Sequence, residues 1–134
     1  MTIFRSRGFD SIIGKDLVIS ALYINIPPQS TLLVEGHVTV GLVNGVMTEG
    51  PKPATKTTLR IAGFIRSDTI DVHNVVISGE VHCKEIRVLG TLAVKRGAKL
   101  NADNIHYREL IVETGAMLNG KMFHLDHVTI EPEL

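Results

Sequence analysis

Apolar residues alternate with polar residues in short runs along most of this chain, and from Leu59 onward the runs recur. Four similar rows start at Leu59, Val75, Leu92 and Leu110, and a further apolar pair starts at Val128. The steps between these starting positions are 16, 17, 18 and 18 residues. Alternation with a period of two residues is typical of short β-strands.

Each row contains three alternating pairs, and these pairs can be matched from row to row. The first pairs are Leu59/Ile61, Val75/Ile77, Leu92/Val94 and Leu110/Val112. Each is followed by a glycine, namely Gly63, Gly79, Gly97 and Gly115. The second pairs are Ile65/Ser67, Val81/Cys83, Ala98/Leu100 and Ala116/Leu118. The third pairs are Ile70/Val72, Ile86/Val88, Ile105/Tyr107 and Phe123/Leu125.

Strands this short cannot bury their apolar side chains alone, but stacked copies can. If the rows pair in parallel, about 4.8 Å apart, their inward side chains form one core and the chain becomes a solenoid. Crossovers between parallel strands are right-handed in about 98% of cases. We therefore predict an all-β fold, a single-stranded right-handed parallel β-helix of about six triangular coils. The corner glycines are expected to adopt positive φ angles.

The 134 residues are expected to form one domain with short tails. Residues 1–10 do not fit the repeat and are predicted to be a flexible tail, residues 11–131 the β-helix, and residues 132–134 a short C-terminal tail. An insertion at about residues 42–58 contains the run TEGPKPATK, which predicts a loop at one corner. This loop is either a binding surface or a tolerated excursion.

The composition excludes several classes of function. Lysine plus arginine and aspartate plus glutamate each number 14, which argues against a nucleic-acid partner because such a partner favours a basic face. The single cysteine fits a reducing compartment. No apolar run approaches the roughly 20 residues of a membrane span, and no secretory signal is present. These features predict a cytoplasmic protein.

The first residues combine apolar and basic side chains. Ile3 and Phe4 lie beside Arg5 and Arg7, a pattern that suits a short anchor on the inner face of an anionic membrane. A disordered chain start is the alternative interpretation.

The histidines and the cysteine are candidate chemical groups. In the row alignment one outward column holds Asp71, Arg87, His106 and His124, which indicates an exposed polar ladder rather than the converging ligands of a zinc site. Cys83 falls in an inward column with Ser67, Leu100 and Leu118, as a small core residue. Because no glycine-rich segment ends in lysine followed by serine or threonine, we predict no nucleotide site, and equally no metal or other cofactor.

The two ends of a β-helix expose unpaired backbone groups and uncovered core, which proteins either cap or use. We predict that this chain uses them to polymerise, because its terminal coils are apolar and no helical cap follows. The residues assigned to this interface are Ile12, Ile13, Leu17, Ile19, Phe123, Leu125, Val128 and Ile130. Phe123 with Leu125 is expected to be the bulkiest inward pair at the C-terminal end.

A second surface is the outward column of the first strand, where solvent would favour polar residues. It contains Leu33, Val76, Ala93 and Ile111, together with Arg60 and Thr129. This column is either a flat lateral face for another rod or partner, or simply the usual preference of strands for β-branched residues.

The repeat and the ends together resemble the bactofilins, a bacterial family of polymer-forming cytoskeletal proteins. The resemblance covers about residues 11–127 and depends on the segments SIIGKDLVI, LLVEGHV, VVISGEVHC and ELIVETGAMLNGK. It implies a right-handed triangular β-helix that polymerises end to end without nucleotide. It also implies association with the inner membrane through an N-terminal segment, and a scaffolding role in cell shape, in polarity or for cell-wall enzymes.

Two other classes of function stay open at this point. One is a hexapeptide-type acyltransferase or a carbonic-anhydrase-like zinc enzyme, with active sites between the subunits of a trimer. The other is a capped monomeric module that binds through the 42–58 loop.

Overall fold

The structure is a computed structural model that describes residues 4–6, 9–27, 29–45 and 56–125. Within these ranges the chain is all-β, without helix. The strands are β1 (Phe4–Ser6), β2 (Phe9–Ile13), β3 (Val18–Asn25), β4 (Thr31–Val34), β5 (His37–Asn44), β6 (Thr58–Ile61), β7 (Phe64–Val72), β8 (Asn74–Ile77), β9 (Glu80–Val94), β10 (Lys99–Val112) and β11 (Met117–His124).

The strands form a parallel β-solenoid of about five turns, which confirms the predicted parallel β-helix with slightly fewer coils than the expected six. Side 1 of the solenoid consists of β2, β4, β6, β8 and the C-terminal parts of β9 and β10. Sides 2 and 3 consist of β3, β5, β7, the N-terminal parts of β9 and β10, and β11. Five turns lead from the first of the six described strand layers on each side to the last, and at about 4.8 Å for each turn the rod is roughly 24 Å long.

The core is built from columns of inward side chains in register. On side 1 the predicted pairs that begin at Leu59, Val75 and Leu92 are buried, as expected from their alternation. The prediction is wrong for Val112, which lies in register with Val94 but is 45% exposed. No described strand lies beyond Val112, so its outer side lacks the coil that covers the same position elsewhere.

The corner between sides 1 and 2 needs glycine mainly because successive turns approach closely. A Cβ on Gly63 would lie 2.2 Å from the carbonyl oxygen of Gly36, and a Cβ on Gly79 would lie 2.1 Å from that of Gly63. The predicted positive φ is found at Gly97 (80°) and Gly115 (92°), where the corner is longer, and not at Gly63 or Gly79. Contact between backbones therefore explains the earlier glycines, and backbone conformation the later ones.

The corner between sides 2 and 3 has the same length from β3 to β10, with one residue of each strand left out of the register. In β7 the paired positions skip Asp68, and inward burial moves from Ile65 and Ser67 to Ile70 and Val72. Such a skipped residue is a local irregularity that re-aims the following side chains.

The predicted inward column of Ser67, Cys83 and Leu100 is wrong because of the length of the corner between sides 1 and 2. Cys83 pairs with Ser67 and Ala102, not with Leu100, because Leu100 pairs with Val81 two residues earlier. The longer corner that ends at Ala98 causes this shift.

In the last coil the register also shifts, but here because the corner between sides 2 and 3 is shorter rather than longer. Asn101 pairs with Asn119, but Asn104 then pairs with Lys121, so this corner contains one residue fewer. His106 therefore lies beside Phe123 rather than His124, and the predicted stacking of His106 on His124 is wrong.

The predicted insertion is shorter than its 42–58 assignment. Leu42–Asn44 belongs to β5 and Thr58 begins β6, while residues 46–55 lie outside the described residues. The neck of the excursion is closed by the buried Thr57 hydroxyl, which donates a hydrogen bond to the Gly45 carbonyl.

The N-terminal residues contribute a strand of different direction. β1 runs antiparallel to β2, with Phe4 opposite Ile12 and Ser6 opposite Phe9. β2 begins at Phe9, two residues before the predicted start of the β-helix. The predicted C-terminal tail, residues 132–134, lies outside the described residues.

Candidate assembly interface at the ends of the solenoid

The C-terminal end presents an open strand edge beside exposed apolar side chains. Within the described ranges β11 pairs only with β10, so its outer backbone groups have no neighbouring strand. Five large apolar side chains of this last coil are exposed: Ile111, Val112, Met117, Met122 and Phe123. An open edge with apolar side chains on both faces is the usual template for adding another strand.

The two residues expected to anchor this end are placed differently from the prediction. Met122, not Phe123, continues the inward column of Ile105, because the corner before it is one residue shorter. Phe123 points outward, is 42% exposed, and stacks on His106 with 4.9 Å between ring centroids. Leu125 is partly buried, and its N–H donates a hydrogen bond to the Tyr107 carbonyl. Phe123 with Leu125 is therefore not an inward pair.

Sequence reasoning missed Met117 and Met122 at this end. The sequence does contain a signal, since NADNIHY in the third row corresponds to NGKMFHL in the fourth. A glycine at position 120 that replaces a non-glycine residue marks the shorter corner, and Gly120 has a φ of 142°.

Hydrogen bonds and ion pairs fasten this coil to the coil before it. Asn119 donates to Asn101 Oδ1 at 2.8 Å. On the far corner, Glu113 accepts from the Arg96 backbone N–H at 2.9 Å and lies 3.4 Å from Lys95 Nζ. The hydrogen bond from Arg96 lowers the pKa of Glu113, with the Lys95 side chain as a further contributor. These contacts join the last coil to the coil before it at two corners.

The N-terminal end is more closed. Of the residues assigned to it, Ile13 and Ile19 are buried, and Ile12 and Leu17 are half-buried. β3 nevertheless has an open edge within the described residues, since it pairs only with β5. Its exposed apolar residues, which the sequence did not single out, are Val18, Leu22 and Tyr23.

The remaining assigned positions fall into three groups. The outward column of Leu33, Val76, Ala93 and Ile111 is in register on side 1, but Ala93 is buried, so apolar exposure is concentrated at Ile111. Phe4 and Arg5 belong to β1. The other assigned residues, Ile3, Arg7, Val128 and Ile130, lie outside the described residues.

The candidate chemical groups do not converge on a site. The column predicted to contain His106 and His124 contains Asp71, Arg87, His106 and Phe123. Among the residues that the structure describes, no group of three or more histidine, cysteine or acidic side chains could hold a metal ion. Burial raises the pKa of the Cys83 thiol to about 12, which keeps it protonated and poorly nucleophilic at neutral pH.

The described ranges also contain no helix that is long and apolar enough to cross a membrane. No protein-family model matches this chain, and no curated protein or solved structure matches it either.

Proposed function

We propose that this protein is a self-assembling scaffold whose solenoids join end to end into filaments without nucleotide. The observation that carries the proposal is the C-terminal end, where an open strand edge and five exposed apolar side chains occur together on the last described coil. Burying such side chains against a second copy contributes roughly 25 cal/mol for each Å² of apolar surface. The new backbone hydrogen bonds add directionality.

The sequence of β11 suits pairing with its own copy. Antiparallel pairing about Gly120 places Leu118 opposite Met122 of the second copy, both inward. It also places Met117 opposite Phe123 of the second copy, both outward. Asn119 then faces Lys121, so no two like charges meet directly. Matched apolar partners directly across an antiparallel pair are the unit of sheet stabilisation.

The same two-fold axis suits side 1. An axis through the Gly120 corner of a triangular rod also passes through the middle of the opposite side, where it pairs Ile111 with Ile111 of the second copy. Leu110 then faces Val112 across the joint. Continuing this register places Glu109 opposite Glu113 of the second copy, so this edge of the joint is acidic, with Arg108 as the adjacent cation. An isologous contact of this kind is the commonest symmetric interface.

The resemblance to bactofilins supports the wider part of the proposal. We place the filament in the cytoplasm, at the inner face of the membrane through the segment that includes Ile3, Phe4, Arg5 and Arg7. There it positions proteins of cell shape, polarity or cell-wall synthesis. Its partners are then copies of itself, membrane lipids and these client proteins, and it carries out no enzymatic reaction.

A charge in the C-terminal joint tests the proposal. Met122→Arg places a cation in the inward column at the joint, where desolvation opposes association. Ala62→Arg adds the same charge at an exposed corner of an interior coil and is the matched control. We expect filaments by negative-stain electron microscopy from the parent chain and from Ala62→Arg, and shortened or absent filaments from Met122→Arg.

Phe123→Arg extends the test to the outward pair, where we also expect shorter filaments. Circular dichroism must show that every variant is folded. Normal filaments from folded Met122→Arg and Phe123→Arg would exclude this joint. A parent chain that stays monomeric at high concentration would refute the scaffold function itself.

A further inference from the structure

The two ends of side 1 differ although their sequences are alike. Ile13 and Val112 occupy the first and last layers of the same inward column, yet Ile13 is 0% exposed and Val112 is 45% exposed. The adjacent outward positions show the same contrast, since Ile12 is half-buried whereas Ile111 is 53% exposed. Within the described residues, side 1 is therefore covered at its N-terminal end and not at its C-terminal end.

The strand at that position is β1. The sheet path along side 1 ends with β2 and then β1, so β1 occupies the edge of β2 at which another coil would add. β1 runs antiparallel to β2, whereas the pairs β2–β4, β4–β6 and β6–β8 are parallel. A two-fold joint between two N-terminal ends would also pair strands antiparallel, and β1 already occupies that pairing position on β2.

β1 also makes the N-terminal end uneven. Side 1 ends in β1, but sides 2 and 3 end in β3, which has no strand beyond it in the described part of the chain. Side 1 is therefore taller by one strand, a step of about 4.8 Å. Two N-terminal ends that both carry this step cannot bring all three of their sides into contact at once.

We propose that β1 is a built-in strand cap that keeps the N-terminal end out of assembly until it leaves β2. The partner that it excludes is a second copy of this chain. The inference rests on the proposed end-to-end assembly and adds its regulation: the C-terminal end is always available, and the N-terminal end only after uncapping. While β1 stays paired, a rod joins only through its C-terminal end, which gives pairs of rods. The fraction of chains from which β1 has left β2 extends these pairs, so the parent chain forms filaments only at higher concentration.

The cap is weakly held, which suits a switch. β1 has three residues, and only Phe4 and Ser6 are paired, with an irregular register between them. Local opening of so short an edge strand needs much less free energy than global unfolding.

Two full-length variants test the cap in opposite directions. Arg5→Pro removes a backbone donor inside β1 and fixes φ, which disfavours the strand; Arg5→Ala is its control for the lost charge. The double variant Phe4→Cys/Ile12→Cys, made with Cys83→Ala, joins the paired positions by a disulfide. Directly opposite strand residues have Cα atoms about 4.5–5.5 Å apart, within the range that a disulfide spans. Cys83→Ala alone, under the same oxidant, is the control.

Light scattering and electron microscopy over a concentration series are the measurements. We expect Arg5→Pro to form filaments at concentrations at least tenfold lower than Arg5→Ala. We expect the oxidised double-cysteine protein to stop at pairs of rods and to form filaments again after reduction. Equal assembly by Arg5→Pro and Arg5→Ala, or long filaments from the oxidised locked protein, would overturn the cap. Loss of the rod pairs in Met122→Arg tests the C-terminal joint separately, so failure of the cap is distinguishable from failure of the scaffold function.

Discussion

Val94 and Val112 offer a matched pair of substitutions, because the same residue type occupies the same column in adjacent coils. Val94 is fully buried, and Val112 is 45% exposed. Val94→Ala removes two buried methyl groups. Losing their burial costs about 1.6 kcal/mol of transfer free energy, at about 0.8 kcal/mol each. It also leaves a cavity between two coils, so we expect a total loss of about 2–3 kcal/mol in the free energy of unfolding.

Val112→Ala should cost the isolated rod much less. Because Val112 is already about half exposed, only roughly half of the free energy of burying its methyl groups is lost, and no enclosed cavity forms. The expected loss in the free energy of unfolding is about 1 kcal/mol. In a joint of two copies the other half of each side chain becomes buried, so the substitution should weaken the joint by about 1.5 kcal/mol in total. That loss corresponds to roughly a tenfold higher dissociation constant.

The two effects are measured separately. Urea unfolding at dilution, where rods are single, reports the stability of the rod, and sedimentation over a concentration series reports the joint. Lys99→Ala, at an exposed position, is the control and should change neither. If Val112→Ala destabilises the single rod as much as Val94→Ala, the orientation of the last coil is wrong. If Val112→Ala leaves the dissociation constant unchanged, Val112 is not in the joint.

Two further predictions concern the N-terminal segment and Cys83. A chain that starts at Phe9 should lose cosedimentation with anionic liposomes, and equal binding by the intact chain would show that Ile3, Phe4, Arg5 and Arg7 are not the anchor. Burial raises the pKa of Cys83 from 9.0 to about 12, so iodoacetamide at pH 8 should alkylate the folded protein on the order of 10³-fold more slowly than the unfolded chain. Because the folded-state pKa is raised, the protonated thiol favours the fold below pH 9, and this contribution should decline between about pH 9 and 12. Fast alkylation of the folded protein, or stability that rises over that interval, would contradict the burial of this thiol.

Side 1 could be predicted from the sequence because its strands recur without interruption. The alternation at Leu59/Ile61, Val75/Ile77 and Leu92/Val94 sets the inward face directly, and a slip of one residue would expose the whole set. The corner between sides 2 and 3 could not be predicted in the same way. One residue fewer at the Gly120 corner changes the face of everything that follows, while the total row length stays nearly constant.

The candidate interface shows the same limit. Counting 18 residues from Tyr107 places Leu125 in its column, and counting 18 from Ile105 places Phe123 in line with it, whereas the shorter corner brings Met122 there instead. The cover over Ile13 was also beyond sequence reasoning, because β1 lies outside the repeat and pairs in the opposite direction. The first and the last coil both contain apolar residues. Whether a further strand lies beside them, as β1 does at the N-terminal end, decides which of these residues are exposed.

The neck formed by Gly45 and Thr57 separates the register of the coils from the length of the excursion between them. Gly45 donates to the Asp71 carbonyl, and Asn74 donates to that of Thr57, so both ends of the excursion are fixed to the following turn. Closing a longer loop costs little additional entropy, about 0.6 kcal/mol for each doubling of its length. A reporter domain inserted between residues 46 and 55 should therefore leave the coils in register, and it would mark each subunit along the outside of an assembled rod.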